Sequence, residues 1–308
     1  MPYLIRPATL EDAPEITALL NAIDVIEVGR PETDQHTVEA DLKHPDTDLA
    51  RDTWLAFDAD RLVAYGLLWD ESGGERIDLD HYVLPEHQDV GVSILDAMEA
   101  RSLERARANG AERAVVHLYL TVRATLAPQR LTARDWDVVR RYHVLHRPLD
   151  AGRDQPVELP GGVRLRACGS EEDRRVVHAL YQDTFAEHFD HHPRTYEQWF
   201  HDVDGERVDW SLVWIVGTDE LGDAGFLLAR NDRAAMGWIR SIGVLRAARG
   251  QGLAGLLLRH AFATFAGLGR ETVGLGVDTD NTTGAPALYA RHGMTVHFAV
   301  DTWEVTLT

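Results

Sequence analysis

Apolar positions along this chain follow two periods. Residues 10–22, 37–42 and 91–108 carry them at steps of about three and four, which predicts amphipathic helices. Residues 54–59, 62–69, 76–83 and 114–120 are short apolar or alternating runs and read as strands. The second half repeats the order. Helices are expected at 171–185, 196–202, 252–268 and 283–291, and strands at 211–216, 224–229, 236–244, 272–277 and 295–306.

That order is an internal repeat at a shift of about 160 positions. Ile5-Arg6-Pro7-Ala8-Thr9-Leu10-Glu11-Asp12 parallels Leu165-Arg166-Ala167-Cys168-Gly169-Ser170-Glu171-Glu172. Ala64-Tyr65-Gly66 parallels Ala224-Gly225-Phe226, Val83 parallels Val244, and Arg134-Asp135-Trp136 parallels His292-Gly293-Met294. Two copies of one mixed α/β unit follow, a first domain over 1–150 and a second over 157–308, joined by the turn-rich stretch 151–156.

The chemistry concentrates at Arg249-Gly250-Gln251-Gly252-Leu253-Ala254. An apolar strand precedes it and an amphipathic helix follows. A glycine turn there can aim several backbone amides at one anion, with the helix dipole adding partial positive charge. A Walker loop needs a lysine after the glycines, and Lys43 is the only lysine in the chain. The spacing Gly250-Gln251-Gly252-Leu253-Ala254-Gly255 also fits a dinucleotide fingerprint, with Glu271 at a plausible distance. No series of βα units follows it, however.

Arg249-x-x-Gly252-x-Ala254 matches the R/Q-x-x-G-x-G/A signature of the GNAT acyltransferases. Asn281-Thr282-Thr283-Gly284-Ala285-Pro286-Ala287-Leu288-Tyr289-Ala290-Arg291-His292-Gly293-Met294 resembles that superfamily's later N-x-x-[AG] and L-Y-x-x-x-G-[FM] block. The resemblance implies two tandem GNAT folds, each a mostly antiparallel central sheet flanked by helices. It also implies acetyl-CoA as cosubstrate. Amides of Arg249, Gly250, Gln251, Gly252, Leu253, Ala254 and Gly255 would hold the CoA diphosphate. Ile242 and Val244 would pair with the pantetheine arm. A bulge near Ser241 to Gly243 would let one N–H polarise the thioester carbonyl, worth roughly 3–4 kcal/mol. Tyr289 would protonate the leaving thiolate. Two positions keep a second reading: Asn281 as a pantetheine contact or a helix N-cap, and Tyr289 as acid or core aromatic. The two-copy layout is similar to that of the mycothiol synthase family.

The first copy departs from the motif. Its turn reads Gln88-Asp89-Val90-Gly91, with a carboxylate where the first glycine should be, and Leu131 aligns with Tyr289. Two unit charges about 4 Å apart repel by about 4 kcal/mol at an effective dielectric of 20, so this copy is expected to be structural or acceptor-shaping.

On the acceptor side the segment 185–193 offers Glu187, His188, Asp190, His191 and His192. A general base, with His188 and Glu187 as candidates, a metal pair at His188 and His192, or a solvated polar loop all fit. Pro193 opposes the helix a metal pair would need, and no metal is expected. The lone cysteine, Cys168, allows no internal disulfide and is not expected to be a nucleophile. No apolar run reaches a membrane span and the first residues lack a signal-peptide pattern, so a cytoplasmic protein is expected. A formal charge of −19 disfavours nucleic acid and anionic lipid as partners and suits a small-molecule amine. A monomer with an internal pseudo-dimer, or a homodimer, fits the repeat. The competing function is an acyl-CoA sensor or scaffold without turnover.

Overall fold

The alternating runs fold as strands, and the runs stepped at three and four fold as helices. The computed structural model describes residues 3–45, 47–70, 73–189, 191, 193–205, 208–231, 235–281 and 283–308. The first half holds β1 (Leu4–Arg6), α1 (Ala13–Glu27), α2 (Gln35–Leu42), α3 (Leu49–Asp52), β2 (Thr53–Asp58), β3 (Arg61–Trp69), β4 (Arg76–Val83), α4 (Gln88–Ala108), β5 (Ala114–Thr121), α5 (Pro128–Thr132) and β6 (Asp137–Pro148). The second holds β7 (Val163–Ala167), α6 (Glu171–Phe185), α7 (Tyr196–Gly205), β8 (Val213–Thr218), β9 (Gly222–Arg230), β10 (Met236–Val244), α8 (Leu253–Gly267), β11 (Thr272–Asp278), α9 (Ala285–Arg291) and β12 (Thr295–Leu307). Among the described residues no helix is long and apolar enough to cross a membrane.

The compact units cut across the linear halves at their closing strands. One unit is Met1–His143 with Asp278–Asp280 and Phe298–Thr308; the other is Val144–Val277 with Asn281–His297. The first unit's strands run β1-β2-β3-β4-β5-β12. Its sheet is antiparallel except at β4/β5, and β12 closes it by pairing Val300–Leu307 with Thr121–Ala114. The second unit's strands run β7-β8-β9-β10-β11-β6, with β10/β11 the parallel pair. Its last strand, β6, thus comes from the end of the first half.

The repeat is visible in hydrogen bonds. Asp12 takes Arg6 and the Thr9 amide, while Asp173 takes Arg166 and the Ser170 hydroxyl. The true partner of Asp12 is therefore Asp173 and not Glu172: the shift is one residue larger at the cap than in the strand before it. After α5 and α9 the chain turns through a left-handed residue, Asp135 at φ 62° and Gly293 at φ 80°. The amides of Trp136 and Met294 then reach back to Leu131 and Tyr289, so those two residues are equivalent.

In the second unit the sheet has an apolar cluster on each face. Leu253, Leu256, Leu257, Phe262 and Phe265 of α8 lead one, and Val177, Leu180, Trp199 and Phe226 lead the other. Each fully buried Leu or Phe contributes about 1.5–3 kcal/mol, so α8 is held firmly along its length, including its first residue. It ends at Gly269, whose φ of 74° stops the helix.

Candidate active site

The two copies differ most at the strand before the glycine turn. In β10, Met236–Ile239 pair with Thr272–Leu275 of β11, and the parallel ladder stops there. On its other edge β10 stays with β9 as far as Val244↔Gly225, but the register slips between Ile239↔Ala229 and Ser241↔Leu228, with Arg240 as the extra residue. A bulge bends its strand and increases the twist. Ser241–Val244 thereby leave β11, and among the described residues no strand pairs with that edge of them. The equivalent β3/β4 ladder runs unbroken from Ala64↔Val83 to Trp69↔Asp78. Matching Val83 with Val244 sets Tyr82 in the place of Gly243 and Tyr65 in the place of Phe226.

Gly243 is a glycine for reasons of space. A Cβ there would stand 2.3 Å from Thr184 Oγ1 and 2.8 Å from Phe226 Cε1. The bare backbone lets the last turn of α6 approach the bulged strand. Thr184 is itself pinned, its hydroxyl donating to Leu180 O at 2.7 Å.

Beyond β10 a short 3-10 turn, Arg246–Ala248, leads into Arg249, Gly250, Gln251 and Gly252. Gly250 and Gly252 sit at φ 82° and 80°, where a side chain costs roughly 1–2 kcal/mol. Gly252 caps α8 without a side chain, and the first turn of α8 holds no acidic residue. Among the described residues, no acceptor pairs with the amides of Gly250, Gln251, Gly252, Leu253, Ala254 or Gly255. Six free donors at the positive end of a buried helix form a place for an anion. The Arg249 guanidinium donates to Val244 O at 3.3 Å, so it borders the splayed strand.

In the first copy this turn does not exist. Helix α4 begins at Gln88, which absorbs Gln88, Asp89, Val90 and Gly91 into regular helix. Gln88 Nε2 donates to Thr125 O, and Gln88 Oε1 accepts from the Ala127 amide. The His81 ring bonds Gly91 O at 2.8 Å. Asp89 points outward beside Arg130. Helix geometry, more than the charge of Asp89, removes the loop.

Tyr289 lies on α9 at 5% exposure, in the same cluster as Leu253, Leu256, Ile242 and Val244. Burial pushes its phenol above the ordinary value, which keeps the proton on it. Among the described residues its hydroxyl has no hydrogen-bond partner. Asn281 is not a helix cap: Gly284 is, and Asn281 Oδ1 accepts from the Thr283 amide and hydroxyl in a turn ahead of the helix. The sequence missed the fit between α8 and α9, where the His292 ring rests on Gly255 with Nε2 3.0 Å from where a Cβ would be.

The acceptor-side candidates are less united. Glu187 is exposed. His188 is half-buried, its ring centroid 5.4 Å from that of Phe185. Phe185 in turn meets Phe226 at 6.4 Å, and Phe226 flanks Gly243. Among the described residues no hydrogen bond joins His188 or Glu187 to Tyr289. Asp190 and His192 lie outside the described residues. What the sequence did not reveal is an aromatic array on this face: Tyr181 stacks on Phe185 at 4.8 Å, Phe200 on Trp210 at 5.8 Å, and Arg174 covers Trp210 at 4.7 Å. Cys168 is buried, which raises its thiol to about 11 and leaves it a poor nucleophile.

A mostly antiparallel sheet whose one parallel pair splays at a bulge, followed by an amide-rich turn and a buried helix, defines a class. Residues 174–294 match the acetyltransferase (GNAT) family. The chain is 26% identical to a GCN5-related N-acetyltransferase from Sphaerobacter thermophilus, with TM-score 0.84, covering 99% of this chain and 95% of that one. A tandem GNAT protein from the clavulanic acid biosynthesis pathway shares the fold at 16% identity and TM-score 0.72, covering 99% and 98%. The family match lies within the second half, and the fold of the whole chain is that of two GNAT units in tandem. Among curated relatives it is 34% identical to the mycothiol acetyltransferase of Beutenbergia cavernae over 48% of this chain and 52% of that protein, about half its length. It is 28% identical to the mycothiol acetyltransferase of Kytococcus sedentarius over 78% of this chain and 77% of that one.

Proposed function

We propose that the second unit moves an acetyl group from acetyl-CoA to a primary amine of a small molecule by direct attack on the thioester. One observation carries this reading: six unpartnered amides at Gly250–Gly255, set where the splayed edge of β10 ends. A diphosphate suits them, since two glycines hold the turn open and no carboxylate stands in the helix's first turn. Ile242 and Val244 then pair with the pantetheine arm along the free strand edge, and Asn281 contacts that arm through its amide group. An amide beside the Arg240 bulge polarises the thioester carbonyl.

The amine nitrogen attacks that carbonyl, and the C–S bond breaks as the tetrahedral adduct collapses. Tyr289 gives its proton to the departing sulfur. The proton lost by the amine passes to His188 or to water in the 185–189 loop, with Glu187 at its outer end. Fixed donors and orientation supply most of the rate. The first copy is structural: Tyr82, Leu131 and the closed start of α4 occupy the places of Gly243, Tyr289 and the open turn. The likeness to mycothiol acetyltransferases makes the amine precursor of mycothiol the first acceptor to try.

The test is release of free CoA from acetyl-CoA with a panel of primary amines, alongside a thermal shift with acetyl-CoA alone. Stabilisation by acetyl-CoA and amine-dependent CoA release are expected. Stabilisation without release from any amine would make the protein an acyl-CoA sensor, and neither effect would remove the site.

A further inference from the structure

The first unit gave up its glycine turn but keeps a charged, aromatic cluster on the opposite face of its sheet. Alternation along β4 sends Leu79, His81 and Val83 toward α4, where His81 bonds Gly91 O and Val83 lies against Gly91. Asp80 and Tyr82 point the other way. On β3, Tyr65 stands in register with Tyr82, their rings parallel within 8° at 6.2 Å. Trp69 of the same face donates its indole N–H to Asp80 Oδ2 at 2.6 Å, and His44 meets Trp69 edge-on at 5.6 Å.

The helices add more negative charge. Among the described residues the Asp24 carboxylate of α1 accepts from neutral donors, among them the Glu32 amide and the Thr33 hydroxyl, both at 3.0 Å. Burial raises its carboxyl, the sign of an anion short of compensation. Burial first, and then the charges of Asp80 and Asp41, raise the Tyr65 phenol, while the charge of Asp80 and then burial, with smaller contributions from Asp24 and Asp41, raise that of Tyr82. Tyr65 is 3% exposed. Among the described residues, neither its hydroxyl nor that of Tyr82 has a hydrogen-bond partner.

We propose that this face of the first unit, bounded by Asp24, Tyr65, Trp69, Asp80 and Tyr82, binds a small organic ammonium ion. Its N–H groups meet the Asp24 and Asp80 carboxylates and the Tyr65 oxygen, and its carbon frame lies on the rings of Tyr82 and Trp69, which attract a cation by their faces. Tyr82 blocks the place of Gly243, so the bound amine is a ligand here and not an acceptor. This site is independent of acetyl transfer in the second unit.

The Trp69 indole N–H, already bonded to Asp80, is the reporter. In the full chain labelled with nitrogen-15, its resonance is one of eight tryptophan signals and is assigned with Trp69→Phe. Ethanolamine at neutral pH is expected to move it saturably, while ethylene glycol, of like size and uncharged, leaves it in place. Asp80→Asn, close in shape, should weaken the response at least tenfold, and Tyr65→Phe serves the same purpose should that variant not fold. No shift with ethanolamine, an equal shift with ethylene glycol, a response to magnesium chloride alone, or undiminished binding in a folded variant would each overturn the proposal.

Discussion

Gly243→Ala tests the meeting of α6 with the bulged strand. The new methyl would stand 2.3 Å from Thr184 Oγ1, 2.8 Å from Thr184 Cβ and 2.8 Å from Phe226 Cε1. Thr184 cannot turn away without losing its 2.7 Å bond to Leu180 O, worth about 1 kcal/mol. Overpacking a tight core costs about 1–3 kcal/mol. The variant should therefore lose about 2–4 kcal/mol of stability. For a domain of this size about 1 kcal/mol lowers Tm by roughly 2–4 °C. Thr184→Ala removes the nearest atom and keeps its Cβ, so the double variant should recover part of the loss, with a coupling of about 1 kcal/mol. Urea unfolding of the wild type, both single variants and the double variant measures this cycle. A Gly243→Ala protein as stable as wild type, or a strictly additive cycle, would refute the packing argument. Turnover should fall further than stability, because the methyl also crowds the position given to the reacting carbonyl.

Tyr289→Phe should lower kcat about 10²-fold or more and leave Tm and acetyl-CoA affinity nearly unchanged, since its hydroxyl holds no partner among the described residues; unchanged kcat would remove it from the acid role. Gly252→Glu should abolish stabilisation by acetyl-CoA, whereas Asp89→Lys, at an outward-facing position beside Arg130, should leave CoA release intact; lost activity in the second would make the first copy a working site. Arg6 and the Thr9 amide hold the Asp12 carboxyl down at about 2, against an ordinary 3.8. Its contribution is complete above the ordinary value and fades as pH falls from about 4 toward 2. Asp12→Asn should thus cost about 1 kcal/mol at pH 6, after allowance for the partly exposed Arg6, and nothing near pH 2; a pH-independent gap in acid and thermal unfolding would contradict this.

The glycine turn was legible because its geometry is local: Gly250 and Gly252 mark positive φ wherever the rest of the chain lies. The paired helices and central strands were legible for the same reason, as period alone sets them. The bulge at Arg240 was expected one to three residues later, near Ser241 to Gly243, because a bulge belongs to a pair of strands and only the β9 register locates it. The match of Val83 with Val244 already set Tyr82 opposite Gly243, whereas the place of Tyr65 opposite Phe226 was hidden by a repeat alignment set one residue off along β3. Asp89 drew attention as a charge, while the decisive change was the earlier start of α4, fixed by Gln88 reaching Thr125 and Ala127. The aromatic array of Tyr181, Trp199 and Trp210 joins residues far apart in sequence, so nothing local announced it.

The closing strand of the first unit has a consequence for synthesis. β12 leaves the ribosome long after β5, which needs it to cover its hydrogen-bonding edge. At ordinary elongation speeds the nascent first half waits on the order of ten to thirty seconds with that edge bare, an invitation to pairing between neighbouring polysome products. A gene fragment stopping at His143 should therefore yield inclusion bodies, and a separately supplied 298–308 peptide should return it to solution.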